Sequence, residues 1–189
     1  MTDVSLTPAP AAERPTSRWR LLARIALALG LVCFAAFWTW ALFFASKEPI
    51  NRIDDEAWAA RAEAICVSAD RQRLALADFR TMENADAALV NERADIIDDA
   101  TDIIAQMLDD VVAQMPTDPK GRDLVPQWEA DYRAYIADRR AFTADLRESG
   151  RNLPFYETQV SGIPVSEKLE VFAADNNMAA CAPPRDLTR

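Results

Sequence analysis

Residues 25–45 read IALALGLVCFAAFWTWALFFA, an uncharged apolar run near the start of a 189-residue chain. At a rise of about 1.5 Å per residue, a helix of this length spans roughly 31 Å, which matches the hydrocarbon thickness of a bilayer. The run therefore predicts one membrane-spanning helix, and the compartment of the remaining chain depends on its orientation.

Basic residues flank this run on its N-terminal side. Within the first 46 residues only two acidic side chains oppose four arginines, namely Arg14, Arg18, Arg20 and Arg24. An excess of Lys and Arg marks the cytoplasmic side of a span. We expect residues 1–17 to be a disordered cytoplasmic tail and residues 18–46 a signal-anchor helix. The C-terminal part would then lie outside a bacterial plasma membrane that the chain crosses once.

A cleaved signal peptide is the alternative interpretation of the same run. Its apolar core is shorter, about 7–15 residues, and ends at a small-x-small cleavage site. Here Phe43, Phe44 and Ala45 end the run, which places a bulky residue where a small one is required. We favour an uncleaved anchor, and whether the helix is ever removed stays open.

Composition excludes several classes of function. The formal net charge is −9, from 21 basic and 30 acidic residues, and residues 47–189 carry −11 because the first 46 contribute +2. Such an acidic part repels nucleic acid. The chain has no histidine and only four glycines, which argues against histidine-based triads, histidine metal sites and glycine-rich phosphate loops. We therefore predict a protein that is not an enzyme and that uses no cofactor and no metal.

Helical periodicity dominates beyond residue 54. The first outer helix is predicted from a stripe at alternating spacings of four and three: Trp58, Ala62, Ile65, Ala69, Gln72, Leu76 and Phe79. Three further helices are predicted from a cap at Asn84 or Asp86 to Pro116, from Asp118 to about Ser149, and from about Pro164 to Ala180. In the helix from Asp118 to about Ser149, Gly150 is the stop and Pro126 marks a kink or the true start. The helix that ends at Pro116 carries an apolar stripe that reaches Met115. The loop 151–162 is expected to pack Leu153, Phe155 and Tyr156 onto the helices.

The predicted fold is all-α. One N-terminal transmembrane helix is followed by a linker at 47–53, an extracytoplasmic antiparallel four-helix bundle at 54–182 and a tail at 183–189. We find no alternating run that would predict a β-strand of useful length.

Two of the three cysteines lie in the part predicted to face outside, since Cys33 belongs to the span. An oxidising compartment favours a disulfide between Cys66 and Cys181 over two separately buried thiols. Closing a loop of this length contributes up to about 5 kcal/mol of stability in the chain-entropy model.

Four segments carry a resemblance to a known group of proteins: AEAICVSAD (62–70), AQMP (113–116), WEADYRAYIADRRAF (128–142) and FAADNNMAACAPPRDL (172–187). They resemble uncharacterised secreted or membrane-anchored helical proteins of actinobacteria, which have a cysteine early in the first helix and an Asn-x-Met-x-x-Cys-like ending. The resemblance implies the helical fold and the disulfide bridge, and it implies no function.

Three sets of residues are candidate sites. The first is an acidic row on the second outer helix, formed by Glu92, Asp95, Asp99, Asp102, Gln106 and Asp109. Such a row could bind a cation. We interpret it as a solvated face of the helix. The second is the aromatic stripe Trp128, Tyr132 and Tyr135, which could line a ligand pocket but is more typical of a core. The third is Asn176 and Asn177 near Cys181, a possible partner or ligand surface for which we favour a structural role.

These observations predict a single-pass envelope protein whose acidic outer bundle is a non-enzymatic interaction or scaffolding module with a protein partner in the envelope. The alternative is a ligand-binding or sensory ectodomain that acts through a partner membrane protein. A deep aromatic pocket would favour the alternative, whereas a broad exposed apolar patch would favour a protein partner.

Overall fold

The computed structural model describes residues 17–44 and 48–187, and the chain divides into two compact units, Met1–Lys47 and Glu48–Arg189. Most of the predicted cytoplasmic tail therefore lies outside the described residues, as do residues 45–46 of the predicted span and residue 47 of the predicted linker.

Helix α1, Ser17–Phe43, is the described part of the first unit. Its segment Arg18–Phe43 is long and apolar enough to cross a membrane, and none of the apolar window is buried within the protein. A helix of this length and hydropathy is typical of a membrane span, and a signal sequence has the same features. The predicted candidate span is thus present, and the helix begins several residues before the apolar run.

Four helices form the body of the second unit. They are α2 (Glu56–Leu74), α3 (Ala87–Val112), α4 (Pro119–Ser149) and α5 (Val165–Asp175). A short 3-10 helix follows at Ala179–Cys181, and the antiparallel strands β1 (Gln159–Val160) and β2 (Ile163–Pro164) form a small hairpin before α5. This hairpin was not expected from the sequence, because two-residue strands are too short to show alternation. The unit is otherwise helical, as predicted.

Aspartates begin three of these helices. The Asp55, Asp86 and Asp118 carboxylates each accept a hydrogen bond from the backbone N–H three residues later, which satisfies a donor that the helix leaves unpaired. Helix α4 begins at the predicted cap and continues through Pro126, so the proline does not mark its start. Gly150 ends it in the left-handed conformation at φ 60°, as predicted.

Three helix ends differ from the sequence prediction. Helix α2 ends at Leu74, and four residues later Asp78 accepts hydrogen bonds from the backbone and side chain of Arg80. Helix α3 ends at Val112, which leaves Met115 40% exposed. Helix α5 ends at Asp175 rather than near residue 180, and the chain then turns where Asn177 adopts a positive φ of 56°.

The core of the second unit consists of two clusters of buried apolar side chains. The larger cluster joins α2, α3, α4 and α5 around Trp58 and Trp128, whose rings meet edge to face at 6.5 Å. The smaller cluster packs α3 against α4 and includes Leu187, which lies in the segment predicted to be a tail. In the loop 151–162, Phe155 packs on both clusters, whereas Tyr156 is 81% exposed and does not pack as expected.

Candidate binding groove

A disulfide bond joins Cys66 in α2 to Cys181 in the 3-10 helix, as predicted. The two Cα atoms are 5.1 Å apart, and both cysteines are fully buried. The bond lies within the larger core cluster, so it fixes the 3-10 helix against α2. The residues after it, 182–187, form a segment that we call the C-terminal strap.

Two tyrosines of α4 hold the strap in place. The Tyr132 hydroxyl donates to the Cys181 carbonyl at 3.1 Å, and the Tyr135 hydroxyl donates to the Pro184 carbonyl at 2.8 Å. Burial raises the pKa of both phenols, which keeps them protonated and able to donate. The aromatic stripe thus anchors the strap.

A buried arginine completes this attachment. Arg139 of α4 has no exposed surface, and its Nη1 and Nη2 donate to the two carboxylate oxygens of Asp186 at 2.8 and 3.1 Å. Its Nε donates to the Thr101 hydroxyl of α3 at 2.9 Å. Burial pushes the pKa of Asp186 upward, but the hydrogen bonds and charge of Arg139 outweigh it and hold that pKa below its usual value.

Sequence reasoning missed this arginine, although one signal was present. Arg139 follows Tyr132 and Ile136 at helical spacing, so it interrupts the apolar side of α4. Its partner could not be identified from the sequence, because Asp186 is distant in the chain and was assigned to a tail.

The strap forms one wall of a groove, which we call the Phe79 groove. Its volume is about 340 Å³, and its apolar lining comes from the end of α2, the segment after it, α3 and the strap: Leu74, Leu76, Phe79, Ile96 and Leu187. Phe79 is 84% exposed and Leu74 is 55% exposed. Large apolar side chains at this exposure, grouped beside a groove, are typical of a surface that contacts another molecule.

The charged residues of the Phe79 groove differ in their partners. Arg73 pairs with Asp70 and Asp186, and Arg185 pairs with Glu170. Arg93, which is only half-buried, makes no hydrogen bond and no ion pair within 4 Å in the part of the chain that the structure describes. Hydrogen bonds from Arg80 hold the pKa of Asp78 below its usual value, and Arg93 adds a smaller electrostatic contribution.

The aromatic residues predicted as a possible ligand surface are buried in the core. Trp128, Tyr132 and Tyr135 are 2%, 1% and 2% exposed, because the stripe faces α2, α5 and the strap. Trp128 alone contributes to a second, smaller groove of about 240 Å³ beside α5. Its indole Nε1 has no acceptor among the described residues. The three residues therefore do not form the deep aromatic pocket that a ligand-binding ectodomain would show.

Asn176 and Asn177 both line an open groove of about 390 Å³ beside the start of α2, but they differ in burial and in hydrogen bonding. Asn176 is 4% exposed, accepts a hydrogen bond from the Ile53 backbone N–H at 2.8 Å, and donates to the Asn51 and Phe172 carbonyls at 3.0 and 2.9 Å. It therefore joins the end of α5 to the segment before α2. Asn177 is exposed and does not share these contacts.

The acidic row of α3 lies against arginines. Asp95, Asp102 and Asp109 pair with Arg147, Arg140 and Arg133 of α4, at 2.7, 3.1 and 2.9 Å. Glu92 pairs with Arg80 at 2.6 Å. The row forms an exposed seam of ion pairs, each of which contributes little to stability in water. Within residues 17–44 and 48–187, no three Cys, Asp or Glu side chains are grouped as metal ligands would be.

Comparison with protein-family models, curated proteins and solved structures finds no match to this chain.

Proposed function

We propose that this chain is a single-pass membrane protein of a bacterial envelope. Its N-terminus would be cytoplasmic, and its second unit would be an extracytoplasmic antiparallel four-helix bundle that acts as a non-enzymatic interaction module. Two observations support the location: α1 has the length and composition of a span, and the disulfide is of a kind that persists in oxidising compartments. The arginines before the span support the orientation.

The exposure of Phe79 beside its groove is the observation that carries the interaction role. The Phe79 ring is 84% exposed and lies beside a groove with an apolar lining, next to the half-exposed Leu74. Hydrophobic surface of this kind is stabilised when a partner covers it.

Orientation is tested with a periplasm-active reporter fused after Arg189. The reporter is expected to be active, and a silent fusion that is expressed at normal level would contradict the topology. Substituted cysteines at exposed positions of the second unit provide an independent readout with a membrane-impermeant thiol reagent.

The interaction is tested with a photo-crosslinking amino acid in place of Phe79 in living cells. The matched control carries the same amino acid at Tyr156, which is equally exposed but does not line the groove. We expect an adduct from position 79, none of that mass from position 156, and its loss when Leu74→Glu is added. Equal crosslinking from both positions would mean that the groove is not a contact surface.

A further inference from the structure

We propose that the Phe79 groove binds a short segment of a partner protein that presents a large apolar side chain next to a carboxylate, and that Arg93 selects the carboxylate. This inference rests on the proposed interaction role and names the chemistry of the partner at the same surface.

The apolar part of the partner follows from the shape and lining of the groove. Leu76, Ile96 and Leu187 provide apolar walls around a volume of about 340 Å³. Large apolar or aromatic side chains inserted into such a pocket contribute most of the affinity in protein interfaces.

Phe79 favours a protein segment over a small molecule. A small apolar ligand inside the groove would leave the Phe79 ring, which is 84% exposed on the rim, in water. A polypeptide that crosses the rim covers the ring and fills the groove with one side chain. Both apolar surfaces are then removed from water together.

Arg93 determines the polar part of the partner. Arg73 and Arg185 already pair with acidic side chains, whereas Arg93 has no hydrogen-bonded acceptor among the described residues. A guanidinium group binds a carboxylate with two parallel hydrogen bonds, and partial burial strengthens such a pair. A carboxylate beside the inserted apolar side chain is therefore the complementary group.

The overall charge restricts the partner further. Three arginines and two aspartates line the groove, and acidic partners outside the lining, Asp70 and Glu170, pair with Arg73 and Arg185. Residues 47–189 as a whole carry −11. A strongly acidic tract or a second copy of this chain would be repelled by that larger negative charge. One carboxylate in an otherwise neutral apolar segment fits the groove best.

The test uses the full chain in phosphatidylcholine nanodiscs and a phage-displayed library of random peptides, with empty nanodiscs to remove lipid binders. We expect enriched peptides to place Leu, Phe or Trp beside Asp or Glu. Enrichment of peptides with Lys or Arg at that position, of peptides without a carboxylate, or of no peptide at all would overturn the inference.

A double-mutant cycle on one enriched peptide tests the role of Arg93. Replacing the peptide carboxylate by its amide should weaken binding to the unaltered chain about five- to tenfold, and should have little effect on Arg93→Gln. Arg93→Lys should recover part of the affinity, and Arg122→Gln, an exposed arginine outside the groove, should bind normally. Equal loss in both backgrounds would overturn the role of Arg93.

The two proposals fail in different ways. If crosslinking at position 79 persists in cells but the carboxylate cycle shows no coupling, the inference is wrong and the interaction role stands. If position 79 does not crosslink, the interaction role fails. If the adduct is a dimer of this chain, the occupant is a second copy and the inference is overturned.

Discussion

Arg139 and Asp186 form an ion pair with two hydrogen bonds between the middle of α4 and the C-terminal strap. The arginine is fully buried, and the carboxylate is 30% exposed. Together with the disulfide five residues earlier, this pair holds the strap where it forms a wall of the Phe79 groove. The geometry of the candidate binding surface therefore depends on a contact between Asp186, which lines the groove, and a buried arginine that does not.

Replacing Asp186 with Asn should lower the free energy of unfolding by roughly 3 kcal/mol, because Arg139 would remain charged and buried without its partner. Chemical denaturation monitored by circular dichroism measures the change. Asp99→Asn, at an exposed position of α3, is the matched control and should unfold like the unaltered chain. A double variant that adds Arg139→Leu should recover part of the loss, and its failure to do so would mean that the buried charge is not the cause.

Acid should remove the contribution of this pair. The pKa of Asp186 is lower in the folded protein than its usual value near 3.9, so the pair stabilises the fold above that value and the contribution is lost as the pH falls through the lowered pKa. The stability difference between the unaltered chain and Asp186→Asn should therefore be constant at neutral pH and shrink below about pH 4. Denaturation of both proteins at pH 7 and pH 3 measures it, and a difference that grows in acid would contradict the assignment.

Removing the disulfide should destabilise the second unit. Replacing both Cys66 and Cys181 with Ser should lower the free energy of unfolding by about 2–5 kcal/mol, since the bond closes a long loop and lies in the core. Thermal unfolding measures the loss. Cys33→Ser, at the free cysteine of α1, should leave the unfolding of the second unit unchanged.

Asn176 should be structural and not part of a binding surface. Replacing it with Ala leaves the Ile53 N–H and the Asn51 carbonyl without this partner, whereas the Phe172 carbonyl keeps the backbone N–H of residue 176; the change should cost about 2 kcal/mol. Asn91→Ala, an exposed position on α3, should have little effect. Hydrogen exchange should show faster exchange of the Ile53 amide in the variant, and unchanged exchange would contradict this role.

Phe79 should contribute almost nothing to stability. Replacing it with Ala should change the free energy of unfolding by less than about 0.5 kcal/mol, whereas Phe172→Ala should cost about 3–5 kcal/mol, because Phe172 stacks on Trp128 in the core. Urea denaturation distinguishes the two. A large loss from Phe79→Ala would show that the ring supports the fold, which would remove the main argument for a binding role.

Much of the fold could be predicted from the sequence because the signals are local. The caps at Asp86 and Asp118 and the stop at Gly150 each depend on a few neighbouring residues. The stripe of α2 was predicted too long, because Leu76 and Phe79 continue the helical spacing beyond the residue at which the helix ends. Phe79 was therefore assigned to that stripe, whereas its exposure makes it the centre of the candidate site.

The aromatic stripe of α4 shows a second kind of limit. Spacing places Trp128, Tyr132 and Tyr135 on one side of the helix, but spacing does not tell whether that side meets other helices or a ligand. The structure buries them, and the tyrosines hold the strap. Asn176 likewise could be identified as unusual, although its partners before α2 are distant in sequence.

Hydrophobicity, charge and short-range patterns were enough to predict three features: the candidate membrane span, the helical class of the second unit and the pairing of its two cysteines. The tertiary structure was needed to show that Arg139 contacts Asp186, that the strap forms one wall of a groove, and that Arg93 makes no hydrogen bond or ion pair with any residue the structure describes. These relationships join residues far apart in the chain. They arise from the packing of whole helices, and a local sequence pattern does not specify which distant residues will come into contact.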